Sequence, residues 1–470
     1  MVHFSGFARK MNHIFYFCAS EASAKVPFNA YFEFMYGFKS LLTWFSRIIF
    51  SENQVLRLNK IKNKFFLCKF YNELLDLHKI KNIMLVPRQI TASLRTILPK
   101  FPILLVTGPR QSGKTTLLRD AFPDYRYVNM ELIDNRNFAT EDPRGFLRMY
   151  DKNVIIDEAQ RVPELFSWLQ AKTDEDRQMG QYILSGSQNF LLMAKTSQSL
   201  AGRVGIFKLL PLSHTELKTA NLMPAEVETA LFIGGYPSLF DRDFTPPQYF
   251  PSYIETYLER DVRALTNVQD LSLFRKFLRL CAGRVGQIMN YVALANDCGI
   301  SQITVKNWLS ILEASYILFQ LPPYFENFNK RLVKSSKLYF YDTGLLCYLL
   351  NLHTATTLQN YYARGSIFEN MVIVEMLKNR FNTNHPASFY FWQDSNAIEV
   401  DLVVSESAQV NLFEIKSSFT IKSDFWKGLT AFRKDAPAHI SGSDNVVYAG
   451  DETQPRTIGT FWSWRDIPKL

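Results

Sequence analysis

The chain of 470 residues is 47% apolar and 21% charged, without a fixed-period repeat or low-complexity tract. That excludes fibrous and disordered classes and predicts about three folded, soluble domains. Its net charge of +9 is lopsided, because residues 1–83 hold twelve Lys/Arg against five Asp/Glu and leave 41 against 39 elsewhere, so a nearly neutral body gives no bulk signal for nucleic acid. Five scattered cysteines, with no CxxC pair, exclude a zinc ribbon and a disulfide framework and fit a reducing cytoplasm.

Residues 1–83 contain 13 of the 39 Phe and one of the 20 Pro, and carry no motif. The most apolar stretch, 28–50, is broken by Glu33, Lys39 and Arg47, so it falls short of the roughly 18 clean apolar residues of a spanning helix. Neither a signal peptide nor a membrane partner is expected. Two readings remain open for this segment. One is an interfacial amphipathic helix; the other is AT-rich upstream sequence read in frame, with Met84 as the natural start. The expectation is a poorly ordered or spurious extension that packs poorly on the rest.

Residues 101–107 (FPILLVT) form a short apolar run of the kind buried on both faces of a parallel sheet. They lead into Gly108, Pro109, Arg110, Gln111, Ser112, Gly113, Lys114, Thr115 and Thr116, which is GxxxxGK[ST] in its required strand-to-helix context. The glycines let backbone wrap phosphates, and the following helix aims free N–H groups at them. Lys114 is expected to reach the β and γ oxygens, and the Thr115 hydroxyl to ligate Mg²⁺.

A second apolar run, 153–156, ends in Asp157 and Glu158. Asp157 is expected to hold the Mg²⁺ and Glu158 to polarise the attacking water, which predicts hydrolysis and not binding alone. A third run, 181–186, ends in Ser187 and Gln188. In the sheet order usual for hydrolytic P-loop enzymes, Ser187 or Gln188 would sense the γ-phosphate; the alternative is an ordinary turn. Arg203, before the run 204–210, is a candidate stabiliser of the transferring phosphoryl group, within the chain or across an oligomer interface, or else a surface arginine.

These motifs resemble the prokaryotic AAA-type (AAA+) P-loop ATPases that carry a C-terminal domain of unknown function. The resemblance rests on residues 108–116, Ile156–Gln160, Leu184–Ser187, Leu200–Arg203, Gly234–Pro237 and Tyr257–Asp261, in order. It implies an α/β fold built on a P-loop NTPase sheet with flanking helices, and ATP in preference to GTP. Residues 1–83 lie outside it.

Residues 272–320 read as three amphipathic helices, with a Gly299 turn between the last two, and resemble a winged helix. Ser301, Gln302, Thr304, Lys306 and Asn307 would meet a major groove if the unit binds DNA; the other reading is a lid or protein contact. Lys330, Arg331, Lys334 and Lys337 make a small basic cluster, either a phosphate-touching wing or a solvated loop.

Further on, a helix carrying Glu369 precedes two strands, one holding Asp401 and the next holding Glu414 and Lys416. Alternation places Glu414 and Lys416 on one face, where a neighbouring strand can bring Asp401 beside them. This resembles the PD-(D/E)xK nuclease core. It implies that Asp401 and Glu414 bind Mg²⁺, Lys416 orients water and Glu369 supports the metal, although Val400, not Pro, precedes Asp401. A salt-bridged sheet edge would give the same letters.

The expected organisation is 1–83 as extension, 84–225 as ATPase domain, 226–350 as helical lid and winged-helix-like domain, and 351–470 as a small α/β nuclease-like domain. The expected function is a cytoplasmic, Mg-dependent ATPase that couples nucleotide state to the last two. The alternatives are a switch with little turnover that binds protein or DNA, and an ATP-gated DNA nuclease. ATP and Mg²⁺ are the expected ligands; DNA, a protein partner and a second copy of the chain are the candidate macromolecular partners.

Overall fold

The computed structural model describes residues 86–470 apart from 188–199, 201, 243, 259–269, 325–334, 407–408 and 438. The expectations for residues 1–83, for Gln188, for Glu259, Arg260 and Asp261, and for Lys330, Arg331 and Lys334 fall outside these residues.

The first helix among the described residues, α1 (Ile90–Ile97), precedes β1 (Ile103–Thr107), which runs through Gly108–Gly113 into α2 (Lys114–Ala121). After β2 (Arg126–Asn129) and β3 (Val154–Asp157) come α3 (Leu165–Asp176), β4 (Tyr182–Gly186) and β5 (Val204–Lys208). The sheet is wholly parallel in the order β2-β3-β4-β1-β5. Alternation explains the continuous apolar runs: Ile103 and Leu105 enter one core with Val154, Ile156 and Leu184, while Leu104 and Val106 enter the opposite one with Ile155 and Ile183. Because β4 lies between β1 and β3, Ser187 leaves the sheet between the P-loop and Asp157.

The chain continues through α4 (His214–Thr219), whose Ser213 and Glu216 form a capping box. Beyond the helices Val227–Ile233, Ser238–Asp241 and Pro246–Tyr253 lie α5 (Leu271–Ala282), α6 (Tyr291–Cys298) and α7 (Gln302–Ala314). Gly299 at φ 82° ends α6, and the Ser301 hydroxyl caps α7 by accepting from Thr304 N at 3.1 Å. Trp308 of α7 packs edge-on against Phe274 and Phe277 of α5, with centroids 5.3 and 5.2 Å apart. The antiparallel pair β6 (Leu318–Leu321) and β7 (Lys337–Phe340) closes this unit, and single bridges tie β7 to Val285 and Ile288.

The 19-residue helix α8 (Arg364–Asn382) is buried nearly all round. Its Asn370 amide accepts from Phe340 N at 2.7 Å and donates to Phe340 O at 2.8 Å, so it satisfies backbone that β7 leaves unpaired. Beyond it, β8 (Phe389–Gln393), β9 (Glu399–Glu406), β10 (Gln409–Lys416), β11 (Asp444–Tyr448), β12 (Gln454–Arg456) and β13 (Gly459–Ser463) form a mixed sheet ordered β12-β13-β11-β10-β9-β8. Leu402, Val404, Phe413 and Ile415 face the core of α8, and Val400, Val403, Val410 and Leu412 face α9 (Lys427–Asp435). Gly428 lets α9 approach closely, since a Cβ there would lie 2.0 Å from Glu399 O. One apolar core runs from Val227 to Ile467, through helices and sheet alike. Among the described residues no helix is long and apolar enough to cross a membrane.

Candidate functional site

The loop after β1 is held by tight local geometry. Gly113 caps α2 at φ 91°, and a Cβ on Gly108 would stand 2.0 Å from Leu209 O, so only glycine lets β5 and the loop meet. Lys114 Nζ donates to Gly108 O at 3.0 Å and Pro109 O at 2.8 Å, with the ammonium folded into the cradle that would receive phosphate oxygens.

At the adjacent strand end, the Thr115 hydroxyl donates to Asp157 Oδ2 at 2.6 Å. Tyr127 on β2 donates to the same oxygen at 2.8 Å, and Ser185 on β4 donates to Asp157 Oδ1. Thr115 and Asp157 thus offer converging hard oxygen donors, as Mg²⁺ requires. Glu158 follows at φ 54°, a left-handed conformation. Gln160 Nε2 donates to Glu158 Oε2 at 2.5 Å and to Ser187 Oγ at 3.3 Å. Burial pushes the Glu158 carboxyl above its usual range, against the pull of Lys114 and Arg110.

Arg88 belongs to no motif. Its guanidinium bonds Glu216 Oε1 at 2.9 Å, Ser112 O at 2.7 Å and Leu210 O at 2.7 Å, and so ties the P-loop backbone to the start of α4. Tyr249 adds a bond to Gln111 Oε1 at 2.7 Å from the helical region. Because lysine keeps the charge but lacks the planar fork, Arg88→Lys should weaken nucleotide binding about tenfold, roughly 1.4 kcal/mol for one lost charge-assisted bond. A fluorescent-nucleotide titration indistinguishable from wild type would remove Arg88 from that role.

Arg203 requires a correction. It stands just before β5, beside the N-terminal end of β1, where Ile103 N donates to Arg203 O at 3.3 Å. The P-loop leaves the other end of β1, about 13 Å away by strand rise. Its guanidinium instead forks onto Asp174 of α3 at 2.6 and 2.9 Å. It cannot stabilise a phosphoryl group at its own chain's P-loop.

In the C-terminal sheet, β9 and β10 are antiparallel with Leu402 opposite Phe413, which makes Asp401 and Glu414 the next residues along each strand. Asp401 Oδ2 accepts from Ile415 N at 2.7 Å, and Lys416 Nζ lies 4.0 Å from it and pairs with Glu414 Oε1. The oxygens that converge within 4.8 Å of one another belong to Glu369, Glu399 and Asp401. Glu399 thus joins the cluster, while Glu414 turns one oxygen to Lys416 and leaves Oε2 buried without a hydrogen-bond partner. Lys337 and Tyr339 of β7 both bond Glu369 Oε1. Four carboxylates face two lysines, a negative excess of two that one divalent ion would neutralise. Without it, burial and the Asp401 charge push Glu369 up to about 7 and Glu414 up to about 8.

Residues 100–218 match the AAA domain, and residues 224–356 and 364–467 each match a domain of unknown function (DUF8612 and DUF4143). An uncharacterized protein of Mycobacterium tuberculosis is 30% identical over 347 residues, covering 73% of this chain and 76% of its own length; one of Mycobacterium bovis matches equally. The chain belongs to the AAA-type P-loop ATPases. Among solved structures, this ATPase is similar to the Walker-type ATPase of Pyrococcus abyssi at 15% identity, over 56% of this chain and 94% of that one, with a TM-score of 0.37. For the AMPPCP-bound DnaA of Aquifex aeolicus the values are 14%, 48%, 86% and 0.26.

Proposed function

We propose that the protein hydrolyses ATP with Mg²⁺ and passes its nucleotide state to a winged-helix-like lid and a PD-(D/E)xK-like sheet domain. The domain division 84–225, 226–350 and 351–470 belongs to this reading. The observation that carries it is the polar set at one sheet edge: Lys114, Thr115 bonded to Asp157, and Glu158 bonded through Gln160 to Ser187. Bound at the P-loop, Mg²⁺ would neutralise charge on the β and γ oxygens. Lys114 would hold those oxygens, Thr115 and Asp157 would hold the ion, and Glu158 would take a proton from the attacking water. Ser187, at the end of the intervening strand, would report on the γ-phosphate. The deciding experiment is Mg-nucleotide hydrolysis by the full chain, with ATP and GTP, with and without DNA. No phosphate release under any condition would leave the nucleotide switch in its place.

Transmission is supported by α8, which carries Glu369 near its start and meets the ATPase core further along. Glu375 Oε2 accepts from His214 N at 2.7 Å, Lys378 donates to Leu212 O at 2.8 Å, and Asn382 O accepts from Ser93 at 2.7 Å.

For the α5–α7 unit, a packing role is favoured over duplex binding. Ser301, Gln302, Lys306 and Asn307 are exposed, but Lys306 lies over the Tyr291 ring at 5.7 Å, and little other basic charge accompanies it. Lys306→Ala should therefore leave the salt slope of duplex affinity unchanged; a slope reduced by about one would instead assign a phosphate contact to this face.

The carboxylate cluster favours a second reading, cleavage of DNA by the C-terminal domain. Plasmid nicking that persists in Lys114→Ala and disappears in Asp401→Ala would establish it, and no nicking with Mg²⁺ or Mn²⁺ would remove it.

A further inference from the structure

Lys337 is absent from every motif in the C-terminal domain, yet it lies at the centre of the carboxylate cluster. It opens β7, in the hairpin that follows α7, and its backbone pairs there with Leu321 and bridges to Ile288. Its side chain leaves that hairpin for the neighbouring sheet, where Nζ bonds Glu369 Oε1 at 3.3 Å and Glu399 Oε1, and lies 5.4 Å from the Phe391 ring centroid. The side chain is 3% exposed. Glu369 and Glu399 are two of the three carboxylates whose oxygens converge. The ammonium therefore bonds two of the three carboxylates that an ion shared by that trio would need.

We propose that Lys337 is a built-in cation that competes with a divalent metal for the Glu369–Glu399–Asp401 cluster, so that its ammonium must give up both carboxylates before the cluster can take an ion. The inference rests on reading the cluster as a cation site. An ammonium and a divalent ion repel one another at contact distance, and a buried lysine cannot turn to water without leaving both partners. Lysine delivers one positive charge where the cluster lacks more, so it quiets the repulsion between Glu369 and Glu399 without filling the site. Metal entry then requires the Lys337 ammonium to leave Glu369 and Glu399. Glu414 Oε2, buried without a hydrogen-bond partner, marks coordination capacity that the two lysines leave unused.

The test is Mn²⁺ titration of the nucleotide-free full chain, with free Mn²⁺ read by electron paramagnetic resonance. Lys337→Met should bind one Mn²⁺ at least about tenfold more tightly than wild type, and the added Asp401→Asn change should abolish that gain, in the range by which groups around a metal site alter its affinity. Lys337→Gln removes the charge but keeps a donor toward both carboxylates, and replaces the Met variant if circular dichroism shows that one unfolded. Equal Mn²⁺ affinity in wild type and the folded neutral variant would overturn the proposal. Plasmid nicking by the same samples separates the two ideas: tighter Mn²⁺ without nicking leaves Lys337 as the competitor and removes only the nuclease reading.

Discussion

Glu158→Gln should lower ATP turnover by about 10² to 10⁴-fold, the usual worth of a positioned general base, while nucleotide stays bound. The substitution keeps shape and removes only the ability to take a proton. The reason to expect so large an effect is local. Burial raises the proton affinity of Glu158 against the pull of Lys114 and Arg110, and Gln160 fixes the carboxylate by one oxygen. A raised proton affinity suits a carboxylate that must take a proton from water. The measurement pairs steady-state phosphate release with retention of labelled ATP on the isolated protein. Lys114→Ala should lose retention itself, because its ammonium is the charge aimed at the phosphates. Turnover by Glu158→Gln within about threefold of wild type would remove the general-base assignment, since no lesser role for the carboxylate predicts a loss of that size.

The nucleotide site was largely legible because parallel strands buried on both faces must read as unbroken apolar runs, and each of β1, β3 and β4 does. Their polar ends then mark the sheet edge where ligands gather. The same rule excludes the within-chain role of Arg203 and leaves the interface and surface alternatives. That residue precedes its strand, so in a parallel sheet it belongs to the opposite edge, and the order of letters around β5 already carried this information. Ser185, a lone hydroxyl within an apolar strand, was a readable signal as well, and it donates to Asp157. Arg88 and Tyr127 had none, each a single polar residue without local pattern, brought into place by pairings far apart in sequence: Ser112 with Arg88 and Asn129 with Asp157. Lys337 reads as part of a basic wing or solvated loop, yet the packing of β7 on α8 buries it among carboxylates. At the carboxylates, strand alternation gave Glu414 and Lys416 on one face, and by the same spacing Glu399 shares a face with Asp401. The two short helices Ile133–Glu141 and Pro143–Met149 carry little apolar periodicity and were not anticipated.

Glu375→Ala should cost about 3–5 kcal/mol of stability, the range for removing one partner of a buried ion pair and leaving the other uncompensated. Glu375 and Lys378 are each about 5% exposed and 2.6 Å apart. Burial works against the Glu375 charge, yet His214 and Lys378 beside it hold the carboxyl below its usual range. Its second oxygen receives the His214 backbone N–H at the head of α4, so truncation also leaves that donor unpaired. Lys378 would keep only Leu212 O. Urea unfolding monitored by circular dichroism gives the size, and the double variant Glu375→Ala with Lys378→Met should recover part of the loss, because no buried charge then remains alone. A single-variant loss below about 1 kcal/mol would mean that water reaches the pair. The seam matters beyond stability. It fixes α8 against residues 212–216, the segment that Glu216 and Arg88 connect to the P-loop backbone, and α8 carries Glu369 into the carboxylate cluster. Polar contacts therefore run from Ser112 to Glu375, and α8 carries on from there to Glu369. Loosening them at Glu375 should uncouple any nucleotide dependence of Mn²⁺ binding at that cluster from ATP binding itself, which Glu375→Ala would retain.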